Sequence, residues 1–219
     1  MNVGAVLLAA GAASRMGGRP KCLLQLDGVP LLLRQLNALS AAGVQDIVVV
    51  VGHYAEQIES VLPTQGLARV RNPAPDDGQA SSVRLGLQAL PASVDAVILA
   101  LADQPLITSQ DVTALLNAFY QRGEKSMLVP RVKLSDGTSV PGNPVILSAA
   151  LRQLWLAGED DRMCRSWRQQ HPDQIAWMNT ENRHYATDLD TPEDLQQFER
   201  DTGQVLRWPS TTTMITDHG

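Results

Sequence analysis

The chain has 219 residues, 44% of them hydrophobic and 19% charged, with a formal charge of −5. That length and apolar content fit one large domain with a sizeable core. The acidic balance argues against nonspecific binding to nucleic acid or to an acidic membrane, since both want a basic surface. The two cysteines stand far apart without a CxxC pair, and the four histidines lack HxxxH spacing, so no zinc site is expected. The apolar start lacks the positive region of a signal peptide, and no run reaches the length of a membrane span. A cytoplasmic protein with reduced thiols is the expectation.

In chain order, "VGAVLLA" reads as a buried strand and "PLLLRQLNALSAAG" as a helix, with Pro30 at its start and Gly43 past its end. "DIVVVVG" predicts a second strand, "YAEQIESVL" a helix and "LARVRN" a short strand. "GQASSVRLGLQAL" places Val83, Leu87 and Leu90 on one helical face. "VDAVILALAD" is the strongest strand pattern, and "SQDVTALLNAFYQRG" follows as a helix capped at Thr108 or Ser109. "SMLVPRV" and "NPVILS" read as strands joined by the polar turn "KLSDGTSVPG", as a hairpin or an edge addition. A helix from Ala149 to Leu156, a charged helix from Asp161 to Gln170, the strand "IAWMN" and a helix from Pro192 complete the pattern.

Near-continuous apolar strands alternating with helices predict an α/β fold: one Rossmann-like three-layer sandwich on a mostly parallel, mixed sheet. The domain is expected over residues 1–203, with a flexible C-terminal tail over 204–219.

The loop after the first strand, "GAASRMGGRPK", runs about twice the 2–6 residues of a plain strand-to-helix connection. Small residues beyond a strand's carboxyl end let backbone N–H groups approach a ligand, and Arg15 and Lys21 add positive charge, so the loop suits a polyphosphate. It is not GxGxxG, and no acidic residue ends the second strand. Nor is it the GxxxxGK pattern of P-loop enzymes.

"LAAGAASRMGGRPK" resembles the LAAGxSxRMGxxK signature of the nucleotidyltransferases of molybdenum cofactor maturation, within the sugar-phosphate nucleotidyltransferase superfamily. Its "LAAG" start is more like the cytidylyltransferases than the guanylyltransferases. The resemblance continues through "NPAPDDGQASSVRLGL", "LADQP", "PGNPVIL" and "DLDTPEDL". It implies a Mg²⁺-dependent transfer of CMP from CTP to the phosphate of molybdenum-bearing molybdopterin. Xanthine dehydrogenase-type molybdoenzymes or their chaperones are the implied protein partners. Methylerythritol phosphate or a sugar phosphate as acceptor, GTP as donor, and a carrier without catalysis stand as alternatives.

Asp103 ends the strongest strand, where a metal–phosphate site belongs. Asp190 precedes the last helix, where an N-cap role competes with a ligand role. Mg²⁺ typically takes one or two carboxylates plus waters and phosphate oxygens. The resemblance implies Asp103 and Asp190 as metal ligands, with Asp188 a lesser candidate. Arg15, Lys21 and Asp103 are the expected catalytic residues. Leu8, Ala9, Ala10, Gly11, Arg15, Lys21, Gly78, Ser81 and Ser82 are expected to hold the nucleotide.

"PGNPVIL" resembles the family's "PGHPV", which faces the second substrate, so Gly142 and Asn143 are candidates there; Asn143 stands where histidine is usual. "GEDDRMCRSWR" resembles "GDxGxR", with Arg162 on the arginine and Asp161 on a usual glycine. Arg162, Arg165 and Arg168, spaced three apart, suit either recognition of an anionic acceptor or a solvated helix face, and the solvated face is the reading for Arg165 and Arg168. Cys22, beside Lys21, lacks a base and reads as structural.

Overall fold

The computed structural model describes residues 1–158 and 164–209. Eight strands form the main sheet, and its core is built from period-two alternation. In β1 (Val3–Ala9), Ala5, Leu7 and Ala9 enter one buried cluster while Val6 enters the other. β4 (Asp46–Val51) does the same, with Val49 and Val51 on one face and Val48 and Val50 on the opposite one.

The first face is covered by α1 (Leu31–Ala41), α2 (Ala55–Glu59) and α4 (Ser109–Tyr120), through Leu36, Ile58 and Leu115 among others. The second is covered by α3 (Gln79–Ala89), α5 (Ala149–Leu156) and α6 (Arg165–Gln170), through Leu87, Trp155 and Trp167. This is the three-layer sandwich the pattern predicts. Gly86 lets α3 lie close on the sheet: a Cβ there would stand 2.3 Å from Val6 Cγ1.

With β5 (Ala68–Arg71), β6 (Ala96–Leu101), β7 (Met127–Lys133), β8 (Ser139–Pro141), β9 (Val145–Ser148) and β10 (Ile175–Thr180), the strand order is β10-β7-β9-β6-β1-β4-β5. β9 runs antiparallel between β7 and β6; β1, β4, β5 and β6 are parallel. Of the two readings of "KLSDGTSVPG", the hairpin is realised and the edge addition is not: β8 hairpins onto β7, and the chain then threads β9 between β7 and β6, leaving β10 and β5 at the ends of the strand order.

The chain leaves β1 toward β4 and β5, then returns through α3 to β6 on the other flank of β1. That reversal opens a crevice at the carboxyl ends of β1 and β6. Register pairs Leu8 with Leu101, and Ala102 N–H donates to Leu8 O at 3.0 Å. The loop after β1 and Asp103 after β6 therefore emerge side by side.

Three differences from the sequence pattern stand out. α2 is shorter than expected: beyond Glu59, Val61 and Leu62 bond back three residues, and Ser60 Oγ donates to Gln57 O. A small sheet of β2 (Gln25–Leu26), β3 (Val29–Pro30) and β11 (Leu206–Arg207) was not foreseen, because two-residue strands carry no alternation. β11 lies inside the segment expected to be a flexible tail. Its pairing with β2 and the packing of Leu206 and Trp208 on Met16, Leu26 and Phe198 tie the chain down as far as residue 209. Residues 210–219 lie outside the described residues.

α7 (Pro192–Thr202) has Thr191 as its N-cap, in a reciprocal box with Asp194. Among the described residues no helix is long and apolar enough to cross a membrane.

Candidate active site

The loop after β1 is shaped by backbone conformation. Ala13 takes a left-handed φ of 49°, and Gly17 and Gly18 follow at 67° and 69°. Ala13 O accepts from both Met16 N–H and Gly18 N–H, folding the loop on itself. Tyr54 Oη donates to Ala12 O at 2.9 Å, fixing it from outside. Gly52 lets the end of β4 pass beneath, since a Cβ there would sit 2.8 Å from Ala10 O.

Lys21 starts a short 3₁₀ turn behind Pro20, and its ammonium is mostly buried. Its Nζ lies 2.9 Å from Asp103 Oδ2 and 2.8 Å from Asp190 Oδ1. Arg15 Nη2 reaches Asp190 Oδ2 at 3.0 Å. Thr191 takes the helix cap, so the Asp190 carboxylate is left for this cluster. Four residues spread from position 15 to position 190 thus meet at the crevice mouth.

Burial works to lower the Lys21 pKa, but Asp103 and Asp190 overcome it and hold the ammonium above its ordinary value. The hydrogen bond from Lys21 holds Asp190 below the ordinary carboxylate range, against partial desolvation, with Arg15 adding to the effect. Asp188 stays accessible to water, yet crowding by protein atoms, then the charges of Asp103 and Asp190, push its carboxyl up. Burial drives the Cys22 thiol up to about 12, despite the neighbouring lysine, so this cysteine is no nucleophile.

A cleft of about 300 Å³ opens beside the cluster, lined by Leu8, Ala10, Gly11, Lys21, Gly78, Gln79, Ser82, Asp103 and Asp190, with Leu101 and Pro75. Ala9 and Gly11 line a small adjoining recess with Lys21 and Asp103. α3 has Gly78 at its N-terminus, φ 93°, and no side chain caps it. Its first-turn N–H groups and the positive end of its dipole therefore suit an anion in the cleft.

The two serines differ. Ser82 lines the cleft, whereas Ser81 donates its hydroxyl to Gly78 O at 2.8 Å, within the loop. Asn72 donates to both hydroxyls, at 2.8 and 2.9 Å, and accepts from Ala74 N–H. Asn72 and Tyr54 are supporting residues that sequence reading missed; Gln104 was expected to shape the turn after Asp103, but its contacts were not foreseen. The backbone carbonyl of buried Gln104 accepts from Gln35 Nε2 at 2.6 Å, and its side-chain Nε2 donates to Asn143 O at 3.3 Å. A glutamine on the apolar face of α1 was the one available signal.

A wider groove of about 470 Å³ shares Leu8, Gln79 and Leu101 with the first cleft and adds Gly142, Asn143, Arg165, Arg168, Gln169 and Asp188. Gly142 is required by close approach: a Cβ would stand 2.5 Å from Tyr185 O. Asn143 N–H donates to that same Tyr185 O at 2.8 Å. Arg168 is half-buried here, which corrects its reading as a solvated face; Trp167 anchors α6 in the core and turns the next residue into the groove. Arg162 and Asp161 lie outside the described residues.

The donor set fits a hard divalent cation. The Asp103 and Asp190 carboxylates both meet the Lys21 ammonium beside the cleft, and among the described residues no group of three or more His, Cys, Asp or Glu could hold a metal by itself. Mg²⁺ binds in this way, with waters and phosphate oxygens completing its shell.

Among solved structures, the chain is similar to Rv0371c of Mycobacterium tuberculosis, at TM-score 0.74 and 21% identity over 91% of this chain and 98% of that one. A CMP:2-keto-3-deoxy-manno-octonic acid synthetase complexed with CTP matches at TM-score 0.70 and 15% identity, over 93% of this chain and 99% of the other. Among curated proteins, the bifunctional protein GlmU of Sorangium cellulosum is 33% identical over 140 residues, 61% of this chain and 30% of that protein. The 2-C-methyl-D-erythritol 4-phosphate cytidylyltransferase of Streptomyces avermitilis is 34% identical over 153 residues, 64% of this chain and 60% of its own length. The chain thus spans less than two thirds of these curated relatives. The profile of the MobA-like NTP transferase domain matches residues 5–175, and the chain belongs to that family of nucleotidyltransferases.

Proposed function

We propose that the chain transfers CMP from CTP to the phosphate of a molybdenum-bearing molybdopterin, releasing pyrophosphate, in the cytoplasm and with Mg²⁺. The observation that carries this reading is the convergence of Arg15, Lys21, Asp103 and Asp190 beside a cleft walled by the Leu8–Gly11 backbone and the uncapped start of α3. The "LAAG" start supports cytidine, as do a cytidylyltransferase relative and a fold neighbour solved with CTP.

In the reaction, an acceptor phosphate oxygen forms a bond to the α-phosphorus of CTP. The bond from that phosphorus to the bridging oxygen breaks, and pyrophosphate leaves with the electron pair. The loop backbone and Arg15 hold the triphosphate. Lys21 offsets charge as it grows on the reacting phosphate, which requires it to exchange a carboxylate contact for a phosphate one. Asp103 and Asp190 would hold Mg²⁺, which supplies Lewis-acid neutralisation of the departing pyrophosphate. No covalent intermediate is needed, and catalysis rests on positioning and charge.

The test is pyrophosphate release with Mg²⁺, CTP or GTP, and molybdenum-loaded molybdopterin. Release with CTP alone supports the reading; release with GTP alone overturns the base assignment. The relative from Streptomyces avermitilis favours a second reading, in which methylerythritol phosphate is the acceptor; the same assay with that compound decides it.

A further inference from the structure

The wider groove has a basic wall that the phosphate loop does not account for. α6 is anchored by Trp167, 2% exposed, which stacks on His171 at 4.6 Å between ring centroids and meets Trp155 edge-on at 6.2 Å. That anchoring fixes Arg168, one residue on, in the groove beside Arg165 and Gln169. Asn143, Gln79 and Asp188 also line this groove.

Arg168 is half-buried, and among the described residues neither it nor Arg165 has an ion-pair or side-chain hydrogen-bond partner. Asp188 lines the same groove without pairing to either. Burial, with repulsion from Arg165, works against the charge on Arg168. A guanidinium does not shed its proton at working pH, so half-burial without a partner is a standing cost. An anion entering the groove removes that cost. In a chain of net charge −5, two unpaired arginines on one wall are a local exception to the acidic balance.

We propose that Arg168, with Arg165 at the rim and the amides of Asn143 and Gln169 in reach of the same groove, forms the subsite that takes a phosphate of the acceptor. The inference rests on the nucleotidyltransferase reading and deepens it. The groove adjoins the nucleotide cleft through Leu8, Gln79 and Leu101, so a phosphate held there stands next to the triphosphate without competing for Lys21.

The test uses the full chain and inorganic phosphate as probe, titrated by calorimetry with Mg²⁺, in the presence and absence of saturating α,β-methylene CTP. The expected result is phosphate binding that Arg168→Ala weakens by about tenfold or more, the loss of one charge-assisted contact, with the analogue's affinity unchanged. Arg168→Lys should fall between, and it keeps the test decisive if the alanine variant does not fold. With whichever of molybdopterin or methylerythritol phosphate the wild type turns over, Arg168→Ala should raise KM for that acceptor and leave KM for CTP unchanged. Equal phosphate binding in wild type and variants, or none in the wild type, overturns the subsite. Lost phosphate binding with an unchanged acceptor KM overturns its assignment to the acceptor. If the CTP analogue itself does not bind, the nucleotide reading fails, and the titration without analogue still decides whether the arginines form an anion site.

Discussion

Lys21 Nζ lies 2.8 Å from Asp190 Oδ1 and 2.9 Å from Asp103 Oδ2, so one ammonium joins the loop after β1 to the strand-end aspartate and to the approach of α7. Three parts of the chain are held in register by this contact. It also sets the charge that a triphosphate and its cation would meet.

Lys21→Ala removes the ammonium and leaves the two carboxylates facing each other. The expected outcome is a loss of turnover of about a hundredfold or more, the usual effect of deleting a donor aimed at developing charge. Asp103→Asn should lose turnover comparably, since an amide is a poor ligand for a hard cation. Calorimetric Mg²⁺ titration with CTP separates the two: metal binding should weaken in Asp103→Asn and persist in Lys21→Ala. Retained turnover in either variant would remove that residue from the machinery.

The guanidinium of Arg19 lies over the ring of Trp208, 4.1 Å from its centroid. Arg19 is in the loop after β1, and Trp208 follows β11, which pairs with β2 directly after that loop. Trp208→Ala should therefore loosen the loop from outside. A cation–π contact is worth about 0.5–2 kcal/mol, so KM for the nucleotide should rise by roughly two- to thirtyfold. Trp208→Phe keeps a ring and should recover much of it. A fall in melting temperature with unchanged KM would limit Trp208 to packing.

The strands, the first helix and the capping of α4 and α7 were legible in the sequence, because period-two and period-3.6 patterns and capping residues act locally. Lys21, Asp103 and Asp190 were legible through their motifs, though only the fold shows them in contact. What the sequence hid is tertiary. β11 is too short to have a period, and Trp208 reads as part of a polar end until β2 is placed beside it. Arg168 reads as solvent-facing until Trp167 fixes which side of α6 is buried. The paired serines looked equivalent; Asn72 donates to both, and the bond from the Ser81 hydroxyl to Gly78 O is what turns Ser81 into the loop.

Gly142→Ala tests whether the approach of the 183–186 turn positions Asn143. The added methyl would stand 2.5 Å from Tyr185 O and 2.8 Å from Tyr185 Cβ, and backbone does not yield cheaply. The expected cost is about 1–3 kcal/mol, read from denaturant midpoints. Because Asn143 N–H bonds the same carbonyl, the shift should reach the groove and raise KM for the acceptor more than for CTP. An unchanged midpoint would mean that the turn moves away freely.

Asp111 supplies a pH prediction remote from the cleft. Its carboxylate accepts from Thr108 N–H at 2.8 Å, from Asn182 Nδ2 at 2.6 Å and from His184 Nδ1 at 2.8 Å. Burial works to raise its pKa, but the hydrogen bonds from His184 and Thr108 overcome this and hold it below the ordinary carboxylate range. A carboxyl depressed in the folded state contributes stability that is complete above the unfolded value of about 4 and is lost as pH falls through the lower folded value. Asp111→Asn should cost about 2 kcal/mol at neutral pH, the worth of hydrogen bonds to a buried charge. Measured by denaturant midpoints, the gap between wild type and variant should hold down to about pH 4 and close below it. Because Tyr185 Oη also donates to Asp111 O, at 2.8 Å, the loss should loosen the turn that carries the contact to Asn143. A gap that stays constant into acid would show that the site responds to side-chain shape rather than to charge.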